Sequence, residues 1–236
     1  MARLFEEIDS QDSPLGEISL RKRVIPALGL EPIYEVKLGD EFLMSSLFVA
    51  AEEALATLGL AASKGEQLSV VVGGLGLGFT AVAALTEPRI SELLVVEALP
   101  QVIGWHQDEK VPLGAILNND SRCRYVEGSF FDLAASGFDR QQPGRLFDAI
   151  LLDIDHSPTE FLNAGNAGFY TTENLQQMAR QLTASGVFAM WSQDLPDDDF
   201  MTLLGTVFSQ VKAEVVKFYN PFRQSEETNS VYIALR

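Results

Sequence analysis

Positive charge is scarce in this chain: 17 Lys and Arg stand against 33 Asp and Glu among 236 residues, a formal net charge of −16. A surface of that sign repels duplex nucleic acid and anionic bilayers, so neither is expected as a partner, whereas a small cationic substrate is favoured. Cysteine is nearly absent. Cys123 stands alone, which excludes an internal disulfide framework and fits a reducing compartment. The histidines, His106 and His156, lie far apart without ligand-spaced Cys or acidic neighbours, so no metal site is expected. No apolar run reaches the length of a membrane span, and the opening Met1-Ala2-Arg3-Leu4-Phe5-Glu6-Glu7 has no stretch of signal-peptide length. A soluble cytoplasmic protein is the expectation.

What the chain does have is Val70-Val71-Val72-Gly73-Gly74-Leu75-Gly76-Leu77-Gly78-Phe79-Thr80. A β-branched run bounded by glycine reads as a central parallel strand, and the glycines let the backbone turn sharply and approach a ligand that a Cβ would exclude. A dinucleotide fingerprint, G-x-G-x-x-G, needs a third glycine where Phe79 stands. A phosphate-binding P-loop needs a Lys at the end of the turn, and none occurs between Gly65 and Lys110. What remains is G-x-G-x-G with Glu97 ending the next strand, Leu93-Leu94-Val95-Val96-Glu97, which resembles motif I of S-adenosylmethionine-dependent enzymes. Glu97 would then accept hydrogen bonds from both ribose hydroxyls. The alternative is a plain strand-helix junction with Glu97 capping the following helix.

The rest of the chain supports one large α/β unit with a small appendage. Alternating apolar and polar residues from Glu17 to Ile25 and from Ile33 to Leu38, then Glu41 to Met44, predict a small β-meander. Ser45 or Ser46 is placed to cap a helix through Leu47, Phe48, Ala51, Leu55 and Leu58, with Gly59 as its stop. The predicted boundary divides 1–45, the meander, from 46–236. Strands are predicted near 68–73, 92–97, 122–126, 147–153 and 186–192, and helices near 78–86, 99–108, 113–118, 172–183 and 197–208. Val211–Tyr219 and Ser230–Leu235 predict a closing antiparallel hairpin. The sum is a doubly wound, Rossmann-like α/β fold with a mostly parallel seven-stranded sheet, which resembles the S-adenosylmethionine-dependent methyltransferase fold. Ligands in such sheets lie beyond the carboxyl ends of the strands, at Gly73–Gly78, Glu97, Gly128–Ser129, Asp153–His156 and Trp191–Gln193.

The run Phe147-Asp148-Ala149-Ile150-Leu151-Leu152-Asp153-Ile154-Asp155-His156-Ser157-Pro158 ends a buried strand in carboxylates. Asp148 starts the strand and reads as a local cap. Asp153 emerges beside the predicted ligand. From here to Phe169-Tyr170 the chain resembles the polyamine aminopropyltransferases, the spermidine synthase family. In that family the strand ends in Asp-Ser-Ser-Asp-Pro and a covering loop leads to a Phe-Tyr or Tyr-Tyr pair. The glycine turn, Glu97 and Gly186-Val187-Phe188-Ala189-Met190-Trp191-Ser192 follow the same order. The family's second Asp falls on His156, with Asp155 displaced by one position; its Tyr and acidic residue near the domain entry are Met44 and Ser46; its Gly-Asp is Gly128-Ser129, with Asp132 nearby.

The resemblance implies transfer of an aminopropyl group from decarboxylated S-adenosylmethionine to a small-molecule amine, without a metal, by a homodimer. It implies Asp153, Asp155 and Tyr170 as catalytic residues, and Gly73, Gly74, Gly76, Gly78, Glu97, Ser129 and Asp153 as the residues that hold the cofactor. A methyltransferase using ordinary S-adenosylmethionine, or a non-catalytic homologue, are the alternatives. A diamine pocket should offer a carboxylate at each end, because an unpaired buried ammonium is costly. Asp153 with Asp155 supplies one end and the sequence names no partner for the other, so weak or absent activity with putrescine is expected.

Overall fold

The computed structural model describes residues 4–29 and 31–236; Met1, Ala2 and Arg3 of the expected N-terminal unit, and Leu30, lie outside the described residues. Four antiparallel strands form a first sheet: β1 (Phe5–Ser13), β2 (Gly16–Arg23), β3 (Ile33–Leu38) and β4 (Glu41–Ser45), in that order. The period-2 pattern sets which face is inside, since Ile18 and Leu20 on β2 and Val36 on β3 are fully buried. β1 is an addition to the predicted meander. Its sequence, Phe-Glu-Glu-Ile-Asp-Ser-Gln-Asp-Ser, has no apolar alternation, and pairing with β2 together with polar anchors holds it instead. Asp9 Oδ2 accepts hydrogen bonds from Trp105 Nε1 (2.9 Å) and Lys110 Nζ (3.0 Å), and the Asp12 carbonyl accepts one from Gln101 Nε2 (2.8 Å).

The second sheet has seven strands. β5 (Leu68–Gly73), β6 (Ile90–Glu97), β7 (Cys123–Glu127), β8 (Phe147–Leu152) and β9 (Leu182–Ser192) run parallel, and β10 (Gln210–Asn220) and β11 (Ser225–Leu235) close it as an antiparallel hairpin on β9. The spatial order is β10-β11-β9-β8-β5-β6-β7. Alternate residues of the central strands face opposite layers. Val70, Val72, Leu93, Val95 and Leu151 pack under α1 (Ala50–Ala62), α2 (Phe79–Leu85), α3 (Pro100–Gln107) and α4 (Gly114–Asn119). Val71, Leu94, Val96, Ile150 and Leu152 pack under α5 (Phe130–Ser136), α6 (Thr172–Ala179) and α7 (Asp198–Gly205). Full burial of each such side chain is worth about 1.5–3 kcal/mol, so the doubly wound arrangement follows from the apolar strand runs.

Several predicted boundaries move, each for a physical reason. α1 starts at Ala50, and its N-cap, Val49, makes no side-chain cap; Ser46 Oγ instead accepts from Tyr34 N at 2.9 Å, tying β4 to β3. Gly59 does not stop the helix. It sits in α1 where a Cβ would come within 2.7 Å of Leu151 Cδ2, so it lets helix and sheet approach closely. α5 is a helix the sequence pattern did not announce, and Ser129 caps it by accepting from Asp132 N at 3.3 Å. β9 begins at Leu182, inside the stretch predicted as the end of a helix. The chain leaves β5 for β6 on one side, and β8 returns on the other. That reversal opens a crevice at the carboxyl ends of β5, β6 and β8.

Candidate functional site

Three strand ends meet at this crevice through backbone hydrogen bonds. Gly74 N donates to Val96 O (2.9 Å) and Asp153 N donates to Gly73 O (2.8 Å), so the turn after β5 is tied to both neighbours. Gly74 has φ +94°, and a Cβ there would lie 2.1 Å from the Asp153 carbonyl oxygen. Only glycine fits this position. His106, fully buried on α3, donates from Nε2 to the Gly76 carbonyl at 2.9 Å and props the turn from below. Burial pushes the imidazole pKa down, which keeps it neutral.

Glu97 closes the turn from β6. Its Oε2 accepts from Leu75 N (3.1 Å) and its Oε1 from Leu99 N (2.9 Å). Both oxygens are thereby fixed, each with acceptor capacity to spare. Burial raises the Glu97 pKa, against the opposing pull of those backbone N–H groups.

Two cavities adjoin the turn. The first, about 240 Å³, is lined by Gly74, Gly76 and Glu97 and, from the far side, by Ser129, Phe130 and Phe131 of the β7–α5 junction. Leu15, at the tip of the β1–β2 hairpin, reaches over it. Its mix of apolar rings and a few fixed polar groups suits a nucleoside. The second, about 210 Å³, is lined by Gly74 to Phe79, Asp153, Trp191 and Asn229, by Phe48 just before α1 and by Glu52 within it. Met44, Gly74, Gly76, Asp153, Ile154 and His156 line both, so the two cavities form one cleft that bends around the glycine turn.

Asp153 stands at the bend. Its Oδ2 accepts from Thr80 Oγ1 at 2.6 Å, which fixes the carboxylate from α2. Burial drives its pKa up to about 6, while the Thr80 bond opposes the shift. Glu52 faces the same cavity. Burial first, and then repulsion from Asp153, drive its pKa up to about 8, and no cation offsets either effect. Sequence reading missed Glu52 because an acidic residue in a helix's first turn ordinarily faces solvent. A signal was present: Glu52 lies three, four and seven residues before the buried Leu55, Ala56 and Gly59, on the apolar stripe of α1.

Of the other expected site residues, Gly76 and Gly78 line the cleft, whereas Gly73 lines neither cavity. A Cβ on Gly73 would meet the Phe130 ring at 2.3 Å, so this glycine serves packing. Asp155 and Tyr170, expected to face the amine, face each other. Tyr170 OH donates to Asp155 Oδ2 at 2.7 Å, and Leu162 N (2.9 Å) and Asn166 Nδ2 (2.7 Å) donate to Asp155 Oδ1. Asp155 is 1 % exposed. This buried carboxylate organises the loop between β8 and α6, and neither it nor Tyr170 lines the cleft. His156 extends toward the first sheet instead, 3.2 Å from Glu41 Oε1. Among the described residues no three His, Cys, Asp or Glu side chains cluster as metal ligands, and no helix is long and apolar enough to cross a membrane.

No protein-family model and no curated protein matches the sequence. Solved structures do match. The spermidine synthase of Thermotoga maritima aligns with 97% of this chain and 72% of its own, at 18% identity and a TM-score of 0.73. A spermidine synthase in complex with the transition state analogue AdoDATO aligns over the same shares at 18% identity and 0.69. A probable spermidine synthase from Corynebacterium glutamicum aligns with 96% of this chain and 79% of its own, at 14% identity and 0.63. Both sheets, the closing hairpin and the crevice at the strand reversal therefore belong to one known architecture, and the chain has the spermidine synthase fold.

Proposed function

We propose that the protein transfers an aminopropyl group from decarboxylated S-adenosylmethionine to an amine. The observation that carries this reading is the place of Asp153: a fixed, half-buried carboxylate at the bend between a nucleoside-sized cavity with Glu97 and a second cavity with an acidic wall. The similar structure that holds AdoDATO supports an adenosyl ligand in this cleft.

The chemistry is a displacement at carbon. The amine nitrogen forms a bond to the aminopropyl carbon attached to the sulfonium, the carbon–sulfur bond breaks, and methylthioadenosine leaves with the electron pair. An alkylamine has a pKa near ~10.4 in water, so presenting its neutral form at pH 7 costs roughly 4–5 kcal/mol. Asp153, its pKa raised by burial, receives the proton that nitrogen loses. Glu97 takes the ribose hydroxyls on the lone pairs that Leu75 N and Leu99 N leave free, and Ser129 with Phe130 and Phe131 bounds the base. In-line positioning of the two reactants supplies the larger part of the rate.

The test is methylthioadenosine release from decarboxylated S-adenosylmethionine with a panel of mono- and diamines. Asp153→Asn keeps the shape and the Thr80 contact, and lowers kcat by about two orders of magnitude. Wild-type turnover in that variant would exclude Asp153 as the proton acceptor.

A further inference from the structure

A half-buried carboxylate on the wall of a cleft normally finds a cation, a set of N–H donors or a proton. Glu52 has a backbone N–H of its own turn and no cation, and it faces another carboxylate across the second cavity. Of its neighbours there, Asp153 is engaged by Thr80, and Phe48 and Trp191 add apolar wall. A chain leaving the nucleoside cavity beside Glu97 passes Gly74 and Gly76 before it reaches this pair.

We infer that Glu52, across the second cavity from Asp153, receives the primary ammonium of the ligand tail, and so selects an adenosyl ligand whose tail ends in an ammonium without a carboxylate. This rests on the reading of the cleft given under Proposed function and deepens it. An ammonium offers three N–H donors and brings the positive charge that favours ionised Glu52 beside Asp153, whereas an α-carboxylate brought to the same place would add negative charge to an acidic wall. The place of Glu52 on the wall of the second cavity, with its pKa raised by burial and by Asp153, fits a site for a ligand's positive charge.

Calorimetry with decarboxylated S-adenosylmethionine, S-adenosylmethionine and methylthioadenosine tests this on the wild type, Glu52→Gln and, as an equal change of charge on the exposed neighbour, Glu53→Gln. The wild type and Glu53→Gln should bind the decarboxylated ligand at least tenfold tighter than the carboxylated one. In Glu52→Gln that preference should fall to within about threefold, with methylthioadenosine affinity unchanged, because that ligand has no ammonium. A preference retained in Glu52→Gln, or absent in the wild type while methylthioadenosine still binds, overturns the role of Glu52 alone. No binding of any adenosyl ligand by the wild type overturns the cleft assignment with it.

Discussion

Tyr170 and Asp155 are bonded to each other, hydroxyl to carboxylate at 2.7 Å, rather than to anything in the cleft. Burial, with the Asp155 charge beside it, holds the Tyr170 phenol well above its ordinary pKa, so it stays a donor throughout the working range. Phe161 stacks on the Tyr170 ring at 5.2 Å, and the pair pins the loop that covers the crevice.

Removing the hydroxyl tests this assignment. Tyr170→Phe leaves the ring stack and takes one donor from a buried carboxylate, which should cost about 1–3 kcal/mol of stability in urea unfolding. A variant of full stability that has lost turnover would return Tyr170 to the reacting groups.

Glu97→Ala should act twice. It removes the acceptor proposed for the ribose hydroxyls, lowering methylthioadenosine affinity by about 2–4 kcal/mol, and it releases Leu75 N and Leu99 N, so stability falls as well. Calorimetry and thermal unfolding read the two losses separately. Unchanged affinity would remove the nucleoside from this cavity.

The acidic pair gives stability a definite dependence on pH. Glu52 and Asp153 have folded-state pKa values raised to about 8 and about 6 from ordinary values of 4.5 and 3.8. Between those limits the folded state binds more protons than the unfolded state, so their contribution is fullest below about pH 4 and is lost as pH rises toward about 8. Glu52→Gln should therefore gain in Tm over the wild type as pH is raised from about 5 to 8.5, with little difference at the acid end. A gap that is flat with pH would show that Glu52 ionises in the folded state as it does in water.

Gly74→Ala should fail to fold to the native state or lose more than about 3 kcal/mol, since its Cβ has the Asp153 carbonyl at 2.1 Å and φ is +94°. Thermal unfolding at wild-type temperature would mean that the turn and the β8 end are not coupled there.

The parts of this structure legible in the sequence are those with local causes. Val70-Val71-Val72 before a glycine run specifies a central strand and its turn, and Glu97 follows as the end of the next strand because the crossover between parallel strands has a restricted length. The pairing of β1 with β2 left no apolar trace, because Asp9 is held by Trp105 and Lys110, which lie far along the chain. Glu52 escaped for the same reason. Its partner Asp153 comes from a strand end about a hundred residues away, and only the close seating of α1 on the sheet at Gly59 brings them to one cavity. With Asp155 the residue type reads as chemistry, whereas the structure turns its oxygens to three donors of its own loop, which no local pattern announces.

The most direct test of the account follows the aminopropyl carbons. Decarboxylated S-adenosylmethionine labelled in that group is incubated with the protein and a panel of mono- and diamines, and the products are separated by mass. Label is expected in a new secondary amine together with an equal amount of methylthioadenosine, both formed about a hundredfold more slowly by Asp153→Asn. Label that stays on the sulfonium compound with every amine, or a methyl group appearing on the acceptor in its place, would contradict it.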